Sequence, residues 1–350
     1  PALLFQEFDP VGDHVTRCND PMAGATVEEM SPQFIGVRGE HAFVQGRTIQ
    51  IRDGRRDCVG VFVERSNDVT FRNLNFYFVH GMGVVCQYSE NITLDEVSIA
   101  PDKESGRTCA AWADCLHVSG CRGKIVVTDC TFAGAQDDAI NIHGTYLRVE
   151  EAISGTQIKV RFMHHQTFGF DPFQAGDEIE FVHSETLGTY DQNCVISAET
   201  LSPYEFLLNL ERPVPEELQV NDVIENVTCT PEVAIRGCRV KHIPTRGFLL
   251  STRRKILVSD NLFERTMMSA ILVACDAGKW FESGCVRDMT ISGNRFVACG
   301  DDAVRLHPEN SKANNRFLQN IRIVNNEFIL EDGTAVRARS TSGLVIADNT

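Results

Sequence analysis

The chain has 350 residues, 43% of them hydrophobic and 23% charged, which is enough for one large domain or for a domain that carries an insertion. Its formal net charge of −15 disfavours nucleic acid as a partner, because an acidic protein repels a phosphate backbone, but it does not disfavour a neutral sugar. No apolar run approaches the roughly 20 residues that a membrane span requires.

Both ends of the sequence are abrupt. The chain starts at Pro1 without a signal peptide and stops at ADNT, within what looks like a repeat. We therefore expect a fragment with residues missing at both ends, so that the missing leader carries no information. Residues 1–65 have β-rich patterns without a clear period, and we expect them to be an entry region that belongs to a larger part.

A repeated pattern begins at residue 66. A short polar turn precedes an alternating apolar run, then an Asn or Asp before an aromatic residue, then a corner of small residues. Examples are SNDVTFRNLNFYFVHGMGVVCQY, GKIVVTDCTFAGAQDDAINIH and VRDMTISGNRFVACGDDAVRLH, and the repeat length is about 22 to 28 residues. Such short β-branched runs without a helical pattern predict an all-β fold, a parallel β-helix, over residues 66–145 and 230–350.

Residues 146–229 break this pattern. GTQIKVRF, GDEIEFV, EFLLNL and NDVIENV are typical of antiparallel strands joined by turns. We expect a small β-barrel or sandwich inserted into the β-helix, and long insertions at coil corners commonly shape a binding cleft.

The 13 cysteines are scattered, with no CxxC pair. Many end strand-like segments, as Cys130, Cys238 and Cys275 do, which favours buried and reduced thiols. Disulfides are the alternative, and zinc is the weakest of the three interpretations.

Two adjacent carboxylates occur twice, in AQDDAINIHG and CGDDAVRLHP. If Ile140 points into the first of these coils, Asn141 and His143 point out on the same face. The preceding coil, ADCLHVSG, then places His117 beside Asn141 and Asp114 beneath Asp138. We expect Asp114, Asp137 and Asp138 to cluster at the edge of a solvent-facing sheet, with Asn141, His117 and His143 beside them.

Three carboxylates without a basic partner in the motif raise the pKa of at least one of them. An acid kept protonated beside an ionised neighbour is what glycoside hydrolysis needs. Turn capping and calcium binding are the alternatives. The second pair, Asp301 and Asp302, lacks an Asp one coil earlier and has Arg305 in the place of Asn141, so we expect a structural role for it.

Several long segments resemble glycoside hydrolase family 110, the bacterial exo-α-1,3-galactosidases. They are GRTCAAWADCLHVSGCRGKIVVTDCTFAGAQDDAINIHGTYLRV, HHQTFGFDPFQAGDEIEF and WFESGCVRDMTISGNRF. The resemblance implies a right-handed parallel β-helix with an inserted β-barrel, and an inverting mechanism with neither metal nor other cofactor. It also implies terminal α-1,3-linked galactose of blood-group-B or linear type as substrate, a periplasmic or extracellular location, and catalytic aspartates at Asp114, Asp137 and Asp138.

We hypothesise that Asp137 is the general acid, whereas Asp138 and Asp114 hold and deprotonate water. Inversion typically needs carboxyl groups about 6.5–9.5 Å apart, and both members of the pair reach one sugar only from a corner or bulge. The predicted sugar-binding residues are Arg107, Asn141, His143, His164, Gln166, Phe168, Trp280 and Glu282. Each has a structural alternative: Asn141 as a ladder residue, His143 as a surface side chain, Arg107 as a loop ion pair and Trp280 as a cover for the coil edge.

A polygalacturonase-like hydrolase is the nearest rival enzyme, but its uronic substrates need basic residues in the cleft, and the motif segments here are acidic and amide-rich. A non-catalytic glycan-binding β-helix is a rival of another class. The sequence leaves the oligomeric state open, with a homodimer as one option.

Overall fold

The computed structural model describes residues 3–312 and 316–350. Strands, turns and loops make up this part of the chain, which contains no α-helix and hence no helix with the length and apolar character to cross a bilayer. The all-β prediction is confirmed.

Three parallel sheets run along the molecule and form the faces of a parallel β-helix, as predicted. The first, here called the cleft sheet, contains Val59–Glu64, Met82–Gln87, Leu116–Ser119, Ile140–Ser154, Phe248–Leu250, Ile271–Val273, Asp302–Leu306 and Thr334–Ala338. The second contains Asn67–Arg72, Glu90–Asp95, Arg122–Thr128, Glu232–Arg236, Ile256–Ser259, Met289–Ser292, Ile321–Val324 and Val345–Ala347. The third contains Asn75–Phe76, Ser98–Ile99, Thr131–Ala133, Arg239–Lys241, Leu262–Glu264, Arg295–Val297 and Glu327–Ile329.

The coils differ in length more than the sequence pattern suggests. Leu116 pairs with Ile140 and Phe248 pairs with Ile271, which are short steps within the predicted range. Ile92 pairs with Ile125, however, and Ile271 with Val304, a step of 33 residues in each case. The predicted repeat of about 22 to 28 residues allowed for occasional loop insertions, and longer corner loops separate these coils while the strands stay in register.

Stacked side chains hold the coils together from inside. The rings of Phe263, Phe296 and Phe328 stack nearly parallel, with centroids 5.1 and 4.8 Å apart, because these residues pair in register across three coils. Two residues before each Phe stands an Asn of a buried ladder. Asn261 donates to Asn294 at 2.9 Å, and Asn294 donates to Asn326 at 3.0 Å. The phenylalanine stack stabilises this corner of the coils by packing, and the asparagine ladder stabilises it by hydrogen bonding.

The insertion is a closed six-stranded antiparallel barrel. Its strands are the second half of Ile140–Ser154, then Gln157–Arg161, Glu178–His183, Gly188–Thr200, Glu205–Leu210 and Val223–Asn226. The first of them continues without interruption from the cleft sheet, so the barrel grows directly out of the coil that carries Asp137 and Asp138. The barrel has an apolar core of its own, with Phe181 and Phe206 buried in it.

The entry region supplies a three-stranded antiparallel sheet of Leu3–Asp9, His14–Cys18 and Thr48–Asp53, and a hairpin of Thr26–Ser31 with Phe34–Arg38. The first parallel pairing of the β-helix already lies in this region, between Val59–Glu64 and Met82–Gln87. Two short pairings remain: Leu318–Gln319 with Thr341–Ser342, and Glu282–Ser283 with the barrel-bound strand.

All 13 cysteines are free, and nine of them are buried. This agrees with thiols that act as small apolar residues, and the alternative of disulfides receives no support.

Candidate active site

The cleft sheet brings the three predicted aspartates together. Because Leu116 pairs with Ile140, Asp114 lies beneath Asp138, and the Asp138 backbone N–H donates to Asp114 Oδ1 at 3.1 Å. One carboxylate oxygen from each of Asp114, Asp137 and Asp138 lies within 4.8 Å of the other two. We call these three residues the aspartate trio.

Asp137 and Asp138 lie on a bend immediately before the strand that begins at Ile140. In a regular strand adjacent side chains would point to opposite faces, but the bend lets both carboxylates face the same cleft. The expected corner position is thus confirmed, and the side chains of Leu116 and Ile140 are fully buried as the stacking argument requires.

Arginine side chains from outside the motif surround the trio, although the motif itself contains no basic partner. Arg246 donates to Asp138 twice, from its backbone N–H at 3.1 Å and from Nη2 at 2.7 Å. Arg56 forms a hydrogen-bonded ion pair with Asp137, and Arg17 Nη2 lies 3.7 Å from the same carboxylate. Arg246 was open to prediction, since it occupies the register of Asp138 one coil later. Arg17 and Arg56 come from the entry region, where no periodic pattern gave a register.

Burial and nearby charges shift the pKa values of Asp138 and Asp114 in opposite directions. Burial, followed by the charges of Asp137 and Asp114, raises the pKa of Asp138 to about 7, although Arg246 opposes the shift. Burial also acts against ionisation of Asp114, but the hydrogen bond and charge of His117, helped by Arg56 and Arg246, outweigh it and lower the pKa of Asp114. Near neutral pH the site therefore combines a carboxyl that retains a proton with one that has lost it.

Two histidines lie behind Asp114. His117 Nδ1 is 2.8 Å from Asp114 Oδ2, and its Nε2 is 3.1 Å from His143 Nε2. His143 is 7% exposed and its Nδ1 lies 2.5 Å from the Gly144 carbonyl oxygen. The prediction that His143 points out with Asn141 agrees with the register, but other side chains bury it, so it is not the free surface residue of the alternative.

Glu282 is brought to the trio by a short strand. Glu282–Ser283 pairs antiparallel with Thr145 and Gly144, and Glu282 Oε1 accepts from Asn141 Nδ2 at 3.1 Å. A β-carbon on Gly144 would overlap Ser283 Oγ, so this approach needs glycine. The predicted neighbours Asn141 and Glu282 thus form one hydrogen-bonded unit.

An aromatic group stands at the mouth of the same cleft. Trp280 is 40% exposed, and its ring lies 4.6 Å from the His164 ring and 5.9 Å from the Arg56 guanidinium carbon. Trp280 belongs to the β-helix and His164 to the barrel, so the barrel contacts the edge of the cleft here. The sequence led us to expect the insertion beside the cleft.

The cleft has a volume of about 660 Å³, within the range of small-ligand sites. It is lined by the trio and by Leu4, Arg17, Arg52, Arg56, His117, Asn141, Arg246, Leu249, Leu272, Ala274, Cys275, Asp276, Gly278, Lys279, Trp280, Glu282 and Glu309. The rejection of uronic substrates rested on a shortage of basic residues, and this lining removes that premise.

Five of the eight predicted sugar-binding residues lie outside this lining, namely Arg107, His143, His164, Gln166 and Phe168. Arg107 is exposed on a loop with its guanidinium 4.4 Å from the Phe78 ring centroid, where a cation–π contact holds it. Phe168 is 51% exposed and packs 5.3 Å from Tyr204 of the barrel. Gln166 is exposed on the same loop as Phe168. Arg107, Gln166 and Phe168 lie within the segments that resemble the family, but a position in such a segment does not fix the direction of a side chain.

The second Asp pair occupies the same register in a later coil. Asp302 is buried and accepts from Arg337 Nε at 2.7 Å, with Arg305 Nε at 3.9 Å, whereas Asp301 is exposed in a turn. Arg305 stands in the register of Asn141, as expected. Asp302 is thus paired with two arginines, and both members of the pair lie outside the cleft lining.

The three carboxylates of the trio are close enough together to hold a cation. Arg56 and Arg246, however, already donate to the carboxylates that would bind it, which disfavours a metal ion at this position.

Comparison with known proteins places this geometry in context. Residues 157–224 match the family model described as GLAA-B beta-barrel domain II. The chain is 46% identical to alpha-1,3-galactosidase A of Akkermansia muciniphila over 93% of its length and 55% of that protein. It is 43% identical to alpha-1,3-galactosidase A of Bacteroides thetaiotaomicron over 99% of its length and 62% of that protein. Alpha-1,3-galactosidase B of the latter organism is 35% identical over 87% of the chain and 51% of that protein. The chain thus spans between about half and three fifths of the length of these curated relatives.

Proposed function

The chain is a homologue of the bacterial alpha-1,3-galactosidases, and from this premise we propose that it acts as a glycoside hydrolase that removes terminal α-1,3-linked galactose from glycans. The observation that carries the proposal is the aspartate trio, which lines a cleft of about 660 Å³ and contains carboxyls of opposite pKa shift. Glycoside hydrolysis needs this combination, since one carboxyl protonates the leaving oxygen while another acts at the anomeric carbon.

The charges around the trio favour Asp138 as the residue that holds the proton. Arg56 and Arg17 lie beside Asp137 as ion-pair partners, whereas burial raises the pKa of Asp138 to about 7. This reverses the hypothesis made from the sequence, in which Asp137 is the acid. Asp137 and Asp114 then supply the negative charge that orients and deprotonates the attacking water.

A substrate with a good leaving group distinguishes Asp138 from Asp137 as the general acid. Loss of the general acid is partly rescued on an aryl galactoside whose leaving group needs no protonation, whereas loss of the base is not. We expect this rescue for Asp138→Asn and its absence for Asp137→Asn and Asp114→Asn. Rescue of Asp137→Asn instead would restore the original assignment.

The cleft also offers groups suited to binding a neutral sugar. Trp280 presents a partly exposed ring for the apolar face of galactose, and the Asn141 Oδ1 is buried at the cleft without a hydrogen-bond partner among the described residues. Leu4, Arg17 and Arg52 of the entry region contribute to the lining, which supports recognition of a chain end rather than the middle of a polysaccharide.

The proposed inversion of the anomeric centre rests on the family resemblance. Carboxylate oxygens within 4.8 Å of one another are closer than the about 6.5–9.5 Å separation typical of inverting enzymes. NMR of the first-formed anomer tests the point, and initial α-galactose would rule out inversion.

Galactose release is the direct test of the function. We expect the protein to release galactose from linear Gal-α-1,3-Gal, and Asp137→Asn to bind the galactoside without turnover. A comparison with the branched, fucosylated trisaccharide defines how wide a substrate the cleft accepts. Absence of galactose release from both substrates would contradict the proposal.

A uronic-acid hydrolase is the second candidate, because Arg17, Arg52, Arg56, Arg246 and Lys279 line the cleft. Three of these arginines already face aspartates of the trio, which reduces the positive charge left for a substrate carboxylate. Activity on oligogalacturonate and none on galactosides would favour this candidate.

A non-catalytic glycan-binding module would bind galactosides and show no turnover to lose. For either enzyme we propose a location in the bacterial periplasm or outside the cell, which cell fractionation tests.

A further inference from the structure

The two histidines behind the trio share their ring protons in a way that the hydrogen bonds determine. A carbonyl oxygen only accepts, so the His143 Nδ1 that faces the Gly144 oxygen carries a hydrogen. The two Nε2 atoms lie 3.1 Å apart, and this distance requires one hydrogen between them, since two lone pairs or two hydrogens would repel. The His117 Nδ1, at 2.8 Å from Asp114 Oδ2, has a third hydrogen on its line to the carboxylate.

Three hydrogens shared along this line exceed what two neutral imidazoles hold. The extra proton lies either on the histidine rings, making one of them an imidazolium, or on Asp114. Asp114 already accepts from the Asp138 backbone N–H with its other oxygen, and such donors favour an ionised carboxylate. The proton therefore belongs to the rings.

We propose that His117 and His143 form a dyad that carries one positive charge beside Asp114, so that His117 is the positioning residue that keeps Asp114 ionised as a base. The proposal rests on the glycosidase function proposed above and deepens it, because it names what sorts the acid from the base within the trio. Nothing in this role requires His117 to touch the sugar.

The groups that face the dyad agree on which ring carries the charge. His117 faces Asp114 and Glu282, which favour its protonated form, and Arg56, which opposes it. Burial also opposes the charge, but the hydrogen bond and charge of Asp114 outweigh it and raise the pKa of His117. Burial lowers the pKa of His143, and the charge of His117 acts in the same direction, while Glu282 and Asp114 oppose it. The imidazolium is thus His117, and His143 is the neutral ring that buttresses it.

The dyad also explains why the shared proton of the trio is found on Asp138. With Asp114 held as an anion, a second anion nearby becomes harder to form, and Asp138 is the more buried neighbour. His117 lies on the strand Leu116–Ser119, three residues after Asp114. The same coil therefore supplies the base and the histidine that keeps the base ionised.

Nitrogen-15 NMR of the full chain labelled at histidine tests the dyad without reference to activity. We expect one ring with both nitrogens protonated at pH 7.5, lost in His117→Gln, and one neutral ring protonated at Nδ1, lost in His143→Gln. Two neutral rings at this pH, or His143 protonated at Nε2 alone, would overturn the proposal. The wild-type protein shows whether a ring with both nitrogens protonated exists at this pH, and the two variants assign the signals to His117 and His143.

The pH profile of kcat/KM on a linear galactoside tests the positioning role. His117→Gln keeps a hydrogen-bond donor for Asp114 but removes the charge, so the acid limb should move up by about one unit, an about tenfold loss on the acidic side. An unmoved acid limb with a uniformly lower kcat would overturn the role. His41→Gln is the matched control, since His41 is exposed in the entry region and should keep the wild-type profile. If no galactoside is cleaved at all, the proposed function fails, and the NMR result alone decides the dyad.

Discussion

At the scale of the residue, Asp138 shows how one side chain is fixed by its surroundings. Its carboxylate is 1% exposed, its backbone N–H donates to Asp114, and Arg246 is its main cationic partner. Asp138 is buried beside two other carboxyl groups, and the arginines nearby do not balance all three negative charges. Its pKa is raised as a result, so that it keeps its proton at neutral pH. This shift makes the site sensitive to pH near neutrality.

The titration of Asp138 should be visible in the stability of the protein. Its pKa in the fold is about 7, above the ordinary value of 3.8, so its favourable contribution is fully present below pH 3.8 and is lost as the pH rises to 7. We expect the free energy of unfolding of wild type to fall between pH 5 and 8 relative to that of Asp138→Asn, which cannot titrate. Urea denaturation at several pH values measures the difference.

The control for this comparison is Asp301→Asn, an exposed aspartate of the duplicate pair in a left-handed turn that asparagine also tolerates. This replacement shows what an aspartate-to-asparagine change outside the cleft does to stability by itself. A parallel pH dependence of Asp138→Asn and wild type would contradict the raised pKa.

At the scale of the element, the strands of the coils are only a few residues long. A single short strand buries little surface, so stability comes from packing and hydrogen bonds between neighbouring coils. The asparagine ladder is the polar half of this arrangement. Asn294 donates to Val258 O at 2.9 Å and accepts from the backbone N–H of Asn261 at 3.0 Å, so that each amide satisfies the corners of two neighbouring coils. A buried ladder of this kind is stable only if every member is present.

Replacement of a central ladder residue should therefore be costly. Asn294→Ala leaves the buried amide groups of Asn261 and the Val258 carbonyl without their partner, and we expect a loss of about 2–4 kcal/mol in the free energy of unfolding. Chemical denaturation measures it. Asn75→Ala, at an exposed position on the third sheet, is the control and should change stability by less than about 0.5 kcal/mol.

The phenylalanine stack is the apolar half of the same corner. Phe296 is fully buried between Phe263 and Phe328, so Phe296→Ala should lower the free energy of unfolding by about 3–5 kcal/mol through lost burial and the cavity left behind. Phe62→Ala, at a side chain that is 51% exposed, should have a much smaller effect in the same denaturation assay. Equal losses in the two variants would show that the stack does not act as a packed core.

At the scale of the whole molecule, a buried ion cluster fastens the barrel to the β-helix. Arg253 follows a strand of the cleft sheet, and its Nη1 donates at 2.7 Å to Glu180 of the barrel, with Glu225 at 3.9 Å. Glu180 and Glu225 are each 1% exposed. Because His164 of the barrel packs against Trp280 of the cleft lining, this cluster also helps to place that contact.

Removal of the arginine should loosen this junction. Arg253→Met leaves two buried carboxylates without their main counter-charge, and we expect a loss of about 3–5 kcal/mol in the free energy of unfolding, measured by denaturation. Arg122→Met breaks an exposed pair with Glu90 at 2.9 Å and should cost less than about 1 kcal/mol. Comparable losses in both variants would contradict the special role of the buried cluster.

Much of the site was predictable from the sequence because it depends on local periodicity. Side chains alternate along a strand and coils stack in register, so the pairing of Leu116 with Ile140 was enough to place Asp114 beneath Asp138. The same register separates the trio from the pair at Asp301 and Asp302, which meets Arg337 instead of a third aspartate. The change of pattern after residue 145 likewise announced the barrel.

The tertiary structure alone decided the charges that surround the trio. Arg17 and Arg56 come from a region without a repeat and reach Asp137 across long separations in sequence, and the direction of Arg107 and Phe168 depends on aromatic contacts that no spacing encodes. Alternation and stacking are regular, short-range constraints that a sequence displays, whereas the pKa of a buried carboxyl depends on every charge that folding brings near it. The sequence by itself therefore determined which aspartates meet, and the folded chain determined which charges surround them and which of them holds the proton.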